Sequence, residues 1–460
     1  MKRIKSALAA ILITAASLAA TGCNGEENNY KTLDPETAAE VAEIAAADER
    51  LTGELENKTI KWMATWDINP DSTGKNTPIE LAIFQSRYGG EVEYHNVDWN
   101  SRYDALANAI NGGEGIDFFP ANDLDAFPKG AIKEMFAPID DYIDFSDPLF
   151  SGVKDVADIF AWNGKHYVIV NDVSGDNCVV IYNRDTMEEN GLEDPAALFE
   201  KGEWDWDSFQ EQLRQFVDPE SGQEGIDGWW YEAGLSATCG VPYIGIEDGK
   251  LVNNLKDPAI ERLQNWMWEL GTANYVCVDE HGWKEMPSYI GEGKELYYPC
   301  GVWALYREKA QWSAEFGENA MFVPMPKDPN ADQYYIPCGL DGYMLVKGGQ
   351  NPEGVAKFAA CKRMAITNER ASEIGTQQLY DDYGWTEEMV TMLHKCHDMA
   401  KENPFYDFYN AIDQDVSDLL DGNELGGIRA ASKGTYQWSE PVGVVSPAID
   451  QYLSEYNALS

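Results

Sequence analysis

The feature that most constrains the fold is a regular alternation of short apolar segments with amphipathic ones, which begins at Thr59. The apolar segments have the length and composition of strands, and the segments between them repeat apolar side chains at helical spacing. In chain order these segments predict a strand at 59–66, a helix at 78–88, a strand at 91–97, a helix at 99–110 and a strand at 116–119. Strands that alternate with helices predict a parallel sheet with right-handed crossovers, and therefore an α/β fold.

A second block of the chain begins with a turn between two strands at 162–167, followed by an apolar strand at 178–182. Further helices are predicted at 206–217, 257–270 and 351–364. Asp205 and the Asn351-Pro352-Glu353 sequence are typical of helix starts, because Asp and Asn side chains cap the first backbone N–H groups and proline fits the first turn.

The first 22 residues have the layout of an export signal. Three positive charges precede an uncharged apolar run from Ala7 to Ala20, and small residues follow. The segment from Leu18 to Cys23 resembles a bacterial lipobox, in which the cysteine is lipidated and becomes the first residue of the mature protein. Ala20 stands where lipoboxes usually have leucine. The alternative is cleavage by the ordinary signal peptidase, with Cys23 incidental.

Residues 23–58 are acidic, and we interpret them as a tether with one helix over 34–46. No other segment approaches the roughly 18 consecutive apolar residues of a membrane-spanning helix. We therefore expect a soluble body outside the cell, held at the outer face of the bacterial cell membrane by acyl chains on Cys23.

The charge and the aromatic content narrow the class of partner. The chain has 34 Lys and Arg against 79 Asp and Glu, a formal net charge of −45, so phosphate backbones would be repelled and nucleic acid is excluded as a partner. It also has 15 Trp and 24 Tyr. Their rings join an apolar face to a polar edge, which suits the binding of half-polar ligands such as sugars, and their number favours an oligosaccharide over a monosaccharide.

Cysteine and histidine positions do not predict a metal site or a cofactor. Apart from Cys23 there are seven cysteines, an odd number that leaves at least one thiol free, and none forms a C-x-x-C pair. His394, Cys396 and His397 are the one tight cluster of metal-capable residues. On a helix these positions do not share one face, so we interpret them as helix-surface residues.

Several short motifs, in order, resemble the extracellular solute-binding proteins of bacterial carbohydrate ABC importers, of the maltodextrin-binding type. Gly164-Lys165-His166-Tyr167 resembles the family's turn between two strands, and Cys300-Gly301-Val302-Trp303 resembles the motif that carries an aromatic side chain into the cleft. The other matching segments are 181–185, 191–195, 202–209 (with Asp205 in place of the family's threonine), 324–326, 339–342 and 351–353. The resemblance covers roughly residues 58 to 365.

This resemblance implies a two-lobed Venus-flytrap fold with hinge strands between the lobes. The implied organisation is a signal peptide at 1–22, the tether at 23–58, the first part of lobe 1 at 59–176, the first part of lobe 2 at 177–325, a return to lobe 1 at 326–375 and C-terminal helices, mainly on lobe 2, at 376–460. It also implies a monomer that binds a sugar between the lobes, delivers it to the permease subunits of an ABC transporter, and is not an enzyme.

Candidate ligand contacts follow from position and residue type. In open α/β sheets ligands bind beyond the carboxyl ends of the strands. Aromatic rings supply stacking area for a sugar, and carboxylates and amides accept its hydroxyl protons. On these grounds and on the family motifs, the predicted site residues are Trp66, Asp67, Asn122, Asp123, Asp172, Trp230, Tyr231, Trp303 and Asp341.

Two other functions share these features. A secreted glycoside hydrolase needs two carboxylates across a cleft, and with 79 acidic residues such a pair cannot be recognised from the sequence. No nucleophile elbow, H-E-x-x-H or phosphate-binding loop is present. A surface glycan-binding lipoprotein without a transporter would make the same ligand contacts and lack only the permease.

Overall fold

The computed structural model describes residues 32–70, 76–122, 124–228, 231–277, 286–306, 314–421, 428 and 433–459. Its strands are β1 (Thr59–Ala64), β2 (Glu91–Asn96), β3 (Phe118–Pro120), β4 (Phe136–Ala137), β5 (Ala161–Trp162), β6 (Lys165–His166), β7 (Val168–Ser174), β8 (Val179–Asn183), β9 (Glu224–Ile226), β10 (Ile244–Glu247), β11 (Lys250–Asn253), β12 (Glu295–Cys300), β13 (Ala320–Pro324) and β14 (Gly339–Val346).

The described helices lie between and after these strands. They are α1 (Pro35–Ala47), α2 (Ile79–Tyr88), α3 (Arg102–Gly112), α4 (Lys129–Ile132), α5 (Lys154–Ile159), α6 (Arg184–Glu189), α7 (Pro195–Lys201), α8 (Trp206–Phe216), α9 (Tyr231–Ala237), α10 (Pro258–Thr272), α11 (Pro287–Gly291), α12 (Pro352–Thr367), α13 (Glu369–Tyr383), α14 (Glu387–Glu402), α15 (Gln414–Leu420) and α16 (Ser439–Asn457). No helix in the described part of the chain is both long and apolar enough to cross a membrane.

A six-stranded sheet forms the centre of the first lobe, with strand order β2-β1-β3-β14-β4 and with β7 also paired to β14. The pairs of β1 with β2 and β3 are parallel, as the alternation predicts. β14 instead runs antiparallel to β3, β4 and β7, so the sheet is mixed. The reason is that β14 enters from the other lobe and not through a helical crossover within this one. Trp62 and Phe118, both 0% exposed, pack with ring centroids 4.6 Å apart in its core.

A four-stranded sheet with order β13-β8-β12-β9 forms the centre of the second lobe. The chain passes from the first sheet to the second after Ser174 and returns between Pro324 and Gly339. A third connection is a backbone hydrogen bond of 2.9 Å from the Val302 N–H to the Asp176 carbonyl. The core of this lobe is aromatic, and its Trp206 and Trp266 rings stack at 4.4 Å.

Local capping explains where several helices begin. The Asp205 side chain accepts a hydrogen bond from the Ser208 backbone N–H, and the Ser208 hydroxyl accepts one from the Asp205 backbone N–H. Together these bonds form a complete capping box at the start of α8. The Asn351 side chain caps α12, where Pro352 occupies the first turn. At the turn between β5 and β6, Asn163 and Gly164 have φ of 51° and 71°. Asn and Gly tolerate this left-handed region best, so this dipeptide sets the hairpin.

The N-terminal segment differs from the expected tether. α1 packs against α2 and α13, and Val41, Ala45, Leu51 and Leu55 are buried. The Tyr88 hydroxyl donates to the Thr52 carbonyl at 3.0 Å. The described part of residues 23–58 is therefore attached along much of its length to the first lobe.

Among the last helices, α14 contacts both lobes. α14 packs against β7 of the first lobe and β13 of the second, whereas α16 packs against β11 and α15. α13 lies beside α12 and α1 on the first lobe and also contacts α14. These two helices, α13 and α14, close one side of the space in front of the first sheet.

Candidate functional site

A cleft of about 890 Å³ lies in front of the strand ends of the first lobe, with α13 and α14 on its other side. The first sheet brings Trp66 from beyond β1 and Asn122 from beyond β3, while Asp172 and Asp341 face each other across β7 and β14. Because β1 and β3 are parallel, their carboxyl ends meet at one edge of the sheet, which is where α/β folds bind ligands.

One wall of the cleft holds an ion-pair cluster of Glu80, Asp341 and Lys362. The Lys362 ammonium lies 2.7 Å from Glu80 Oε1 and 3.2 Å from Asp341 Oδ2. Burial raises the pKa of Asp341 above its usual value. Burial acts to lower the pKa of Lys362, but the two carboxylates outweigh it and hold that pKa well above its usual value. Lys362 is therefore a permanently charged group that neutralises part of this acidic wall.

The α14 side of the cleft presents basic groups that face acidic strand residues. Lys401 Nζ lies 2.9 Å from Asp172 Oδ2, and His397 Nε2 lies 3.6 Å from Asp176 Oδ2. Burial, reinforced by the nearby His397, lowers the pKa of His394. At neutral pH its imidazole is therefore uncharged, and it can both donate and accept a hydrogen bond.

An aromatic wall completes the cleft. The Tyr306 ring stacks on Tyr383 with centroids 4.5 Å apart and planes at 25°, and on Trp385 at 5.6 Å and 26°. Beyond β1, Trp66 packs edge-on against Trp62, with ring centroids 5.5 Å apart. Trp66, Tyr306 and Tyr383 all line the cleft. Such faces bind the apolar side of a ring-shaped polar ligand.

Asn122 gives the cleft a buried acceptor. Its Oδ1 is buried and has no hydrogen-bond partner among the described residues. A buried amide oxygen without a partner costs stability, so the position is suited to a donor supplied from the cleft. The cleft thus combines carboxylates, an amide, fixed cations and stacking faces, an arrangement that recognises a polar ligand with several hydroxyl or amine groups.

Comparison with known proteins identifies the family. A family model described as a bacterial extracellular solute-binding protein matches residues 81–376. The chain belongs to this family. No protein with a curated description matches the chain in sequence. The family consists of binding proteins, and the predicted resemblance is confirmed.

Solved structures agree with this assignment at the level of the fold. An ABC substrate-binding protein from Listeria monocytogenes in complex with cycloalternan has a TM-score of 0.61 at 17% identity, covering 87% of this chain and 99% of that one. A binding protein from B. animalis subsp. lactis in complex with β-1,6-galactobiose has a TM-score of 0.61 at 15% identity, covering 87% and 98%. UgpB from Mycobacterium tuberculosis in complex with glycerophosphocholine has a TM-score of 0.58 at 15% identity, covering 87% and 99%. The predicted two-lobed α/β fold is confirmed.

Four of the predicted site residues of this solute-binding protein line the cleft together. They are Trp66, Asn122, Asp172 and Asp341. Asp67 follows Trp66 in sequence, but it does not line the cleft. Its Oδ1 accepts hydrogen bonds from the Asn69 backbone N–H and side-chain amide, both at 2.9 Å. Its carboxylate shapes the turn that follows β1.

The predicted residues of the second lobe are placed differently. Tyr231 is 1% exposed, and the structure places it in the core. The prediction assumed a strand with alternating faces, whereas Tyr231 begins helix α9, so alternation does not set its direction. Trp303 is 41% exposed and lies beside the connection between the lobes, one residue after the Val302 bond to Asp176. Asp123, Trp230 and Cys23 lie outside the described residues.

The sequence analysis did not single out Glu80, Lys362 or Tyr383, all of which line the cleft. The sequence analysis interprets His394 and His397 as helix-surface residues. In the structure both line the cleft, while Cys396 between them is 0% exposed and points into the core. A histidine pair three residues apart on a helix was the available signal, since such a pair shares one face.

A metal centre receives no support from the described residues, which contain no group of three or more His, Cys, Asp or Glu side chains placed to hold an ion. The seven described cysteines, 178, 239, 277, 300, 338, 361 and 396, are all buried and are not in disulfide bonds. Burial raises the pKa of Cys239 and of Cys338 to about 12. These thiols are unreactive core residues.

Proposed function

We propose that this solute-binding protein captures a sugar, in particular an oligosaccharide, in the cleft and delivers it to the permease of an ABC importer. The observation that carries the proposal is the pairing of the Tyr306–Tyr383 stack with carboxylates and an amide at the strand ends. Stacking area for ring faces and aimed acceptors for hydroxyls are the two requirements of sugar recognition.

Structural neighbours support a sugar without settling it. Two of those described above were solved with cycloalternan and β-1,6-galactobiose, and a third with glycerophosphocholine. A phosphate in the cleft would contact the fixed cations Lys362 and Lys401, but each of these is already paired to a carboxylate at 3.2 Å or less. Paired cations and a surplus of carboxylates disfavour an anionic group, so we place the sugar first.

The N-terminal sequence bears on where the protein is located. The export signal and the lipobox-like sequence at Cys23 support lipid anchoring at the outer face of the cell membrane. The same family of contacts would serve a glycan-binding lipoprotein without a transporter. Sugar uptake by cells with and without this gene separates the two, since only a transport component changes uptake.

A thermal-shift screen of residues 24–460 tests the ligand class. The panel contains monosaccharides, malto-oligosaccharides, β-1,6-galacto-oligosaccharides, cyclic glucans and glycerophosphocholine. A ligand that binds only the folded state raises the melting temperature by mass action. We expect a shift with one glycan class and, by chromatography, no breakdown of that glycan.

The other results of the screen are equally informative. A shift with glycerophosphocholine alone would replace the sugar by a phosphodiester. Breakdown of the bound glycan would indicate a hydrolase, the alternative that the sequence left open. No shift with any member would contradict the sugar proposal.

A further inference from the structure

Among the described residues, the lining of the cleft carries more negative than positive charge. Five carboxylates line it, at positions 80, 172, 176, 341 and 398, against two lysines, Lys362 and Lys401. Two histidines also line the cleft, but the lowered pKa of His394 leaves its imidazole uncharged at neutral pH. Even with His397 counted as charged, the carboxylates outnumber the cations. The cleft therefore repels an anionic ligand and attracts a cationic one.

Asp398 on α14 is the cleft carboxylate whose charge is not balanced by a neighbour. Its side chain is exposed, and it makes no hydrogen bond or ion pair within the described part of the chain. The lysines three positions away on either side are within reach on a helix, but both are paired elsewhere. Lys395 pairs with Glu200, and Lys401 pairs with Asp172 at 2.9 Å. The Asp398 carboxylate is therefore available to a cation that enters the cleft.

Two other features of the cleft favour a ligand that donates hydrogen bonds and carries positive charge. The buried Oδ1 of Asn122 accepts no hydrogen bond from the described residues, and this atom can only accept. Tyr306 and Tyr383 line the cleft, and aromatic faces attract cations that lie within about 6 Å of the ring centroid. An ammonium group has three N–H donors and no acceptor, whereas a hydroxyl has one hydrogen to donate. A protonated amine therefore suits this set of groups better than a hydroxyl does.

From this charge balance and the unpaired acceptors we infer that the cleft selects a sugar that carries a protonated amino group, and that Asp398 determines this specificity. The inference rests on the proposed function and narrows the ligand class to amino sugars, such as an oligosaccharide of glucosamine. The formal net charge of −45 also attracts any cation to the whole surface. A test must therefore separate recognition at Asp398 from this general attraction.

The test is isothermal titration of residues 24–460 with three β-1,4-linked tetramers, those of glucosamine, N-acetylglucosamine and glucose. The three share one backbone and differ at carbon 2 of each ring, which carries an ammonium, an acetamide or a hydroxyl group. We expect the glucosamine tetramer to bind one per chain, with a Kd about tenfold lower than that of either neutral tetramer. General attraction to the surface would instead give weak binding at many sites per chain.

Asp398→Asn is the test variant and Glu402→Gln is its matched control. Glu402 is also exposed on α14 and makes no hydrogen bond or ion pair through its side chain with any described residue, but it does not line the cleft. Each substitution removes one negative charge from the same helix, and neither breaks a contact that the structure describes. We expect Asp398→Asn to reduce the preference for the glucosamine tetramer over the glucose tetramer by about fivefold. Glu402→Gln should leave this preference within about twofold of the parent.

The outcomes separate this inference from the proposed function. Equal binding of the three tetramers overturns the amino-sugar class while sugar binding stands. The same holds if the glucosamine tetramer does not bind but a neutral glycan gives a thermal shift. A preference that Asp398→Asn leaves intact, or that both variants reduce equally, overturns the role of Asp398. If no tetramer binds and no glycan of the thermal-shift panel gives a shift, the proposed function and this inference are both wrong.

Discussion

Lys362 is the residue on which the charge balance of the cleft depends. It lies between Glu80 and Asp341. The side chain of Lys362 is 21% exposed, that of Glu80 14% and that of Asp341 31%. Removing one partner of a buried ion pair costs about 3–5 kcal/mol, and the exposure here reduces that cost. We expect Lys362→Met to lower the free energy of unfolding at pH 7 by on the order of 2 kcal/mol, measured by urea denaturation.

The same variant has a defined pH dependence. Burial already raises the pKa of Asp341 above 3.8. The Asp341 carboxyl therefore binds its proton more tightly in the folded protein than in the unfolded chain. A carboxyl with a raised pKa in the folded protein lowers the free energy of unfolding as the pH rises above 3.8, and it does not lower it at more acidic pH. Without the Lys362 charge the pKa rises further, so the deficit of Lys362→Met should be largest at pH 7 and shrink towards pH 4.

Lys347→Met is the control for this experiment. Lys347 and Glu134 form an ion pair at 2.5 Å, but their side chains are 52% and 76% exposed. Exposed pairs contribute little to stability, so this variant should unfold as the parent does. An equal loss in both variants, or a deficit in Lys362→Met that does not vary with pH, would contradict the role given to the cluster.

Trp303 is the second residue whose role can be tested directly. Trp303 does not line the cleft, but its ring is 41% exposed beside the connection between the lobes and contributes little to the core, and the family motif predicts that it contacts the ligand. Tryptophan side chains often contribute much of the binding energy. We expect Trp303→Ala to weaken binding of the screened sugar more than tenfold, by titration calorimetry, with a nearly unchanged melting temperature. Tyr142→Ala, which removes another aromatic side chain that is 43% exposed, should change neither quantity. A large loss of stability in Trp303→Ala would move this indole into the core.

Among the secondary-structure elements, the contribution of the N-terminal segment to stability can be tested by deletion. Residues up to Asp34 precede α1, whereas Val41, Ala45, Leu51 and Leu55 are buried against the first lobe. Deleting residues 24–33 should therefore leave the melting temperature unchanged. Deleting residues 24–58 should lower it by several degrees, because it uncovers the apolar side chains of α2 and α13 that these residues cover.

Differential scanning calorimetry of the two truncated chains checks this prediction. Equal melting temperatures would show that the segment is a tether, as the sequence alone suggested. Sugar affinity measured on the shorter deletion provides the functional control, since that deletion removes no residue that lines the cleft.

Element positions were largely predictable from the sequence because their causes are local. The helix predicted at 206–217 is observed at Trp206–Phe216, and its capping box consists of residues within the four-residue segment 205–208. The docking of α1 was not predictable in the same way. Its helical pattern is visible in the sequence, but its partners α2 and α13 are tens to hundreds of residues away. The sequence near α1 does not indicate that those two helices have an apolar face against which α1 can pack.

The cleft was only partly predictable for a related reason. Trp66 and Asn122 follow strands, and the rule for strand ends places such residues at one edge of a sheet. Lys362 and His397 lie on helices that reach the cleft only through the tertiary arrangement. A lysine or histidine on a helix is usually a solvated surface residue, so the neighbouring sequence does not indicate that it lines a cleft.

At the scale of the whole molecule, the arrangement of two sheets predicts a change of shape on binding. The cleft is lined by strand ends of the first lobe and by α14, which also packs against β13 of the second. A ligand that contacts both sides favours the conformation in which they are closest, by as much as it binds that conformation more tightly. Saturating sugar should therefore reduce the radius of gyration of residues 24–460 in small-angle X-ray scattering.

A sugar from the same panel that gives no thermal shift, at equal mass concentration, controls for the change in solvent contrast. Trp303→Ala measured at its own saturating concentration should reach the same reduced radius, since that variant loses affinity but keeps both lobes. If the bound sugar leaves the radius unchanged, recognition occurs on a cleft that is already closed, and the connections after Ser174 and before Gly339 serve as rigid links rather than as a hinge.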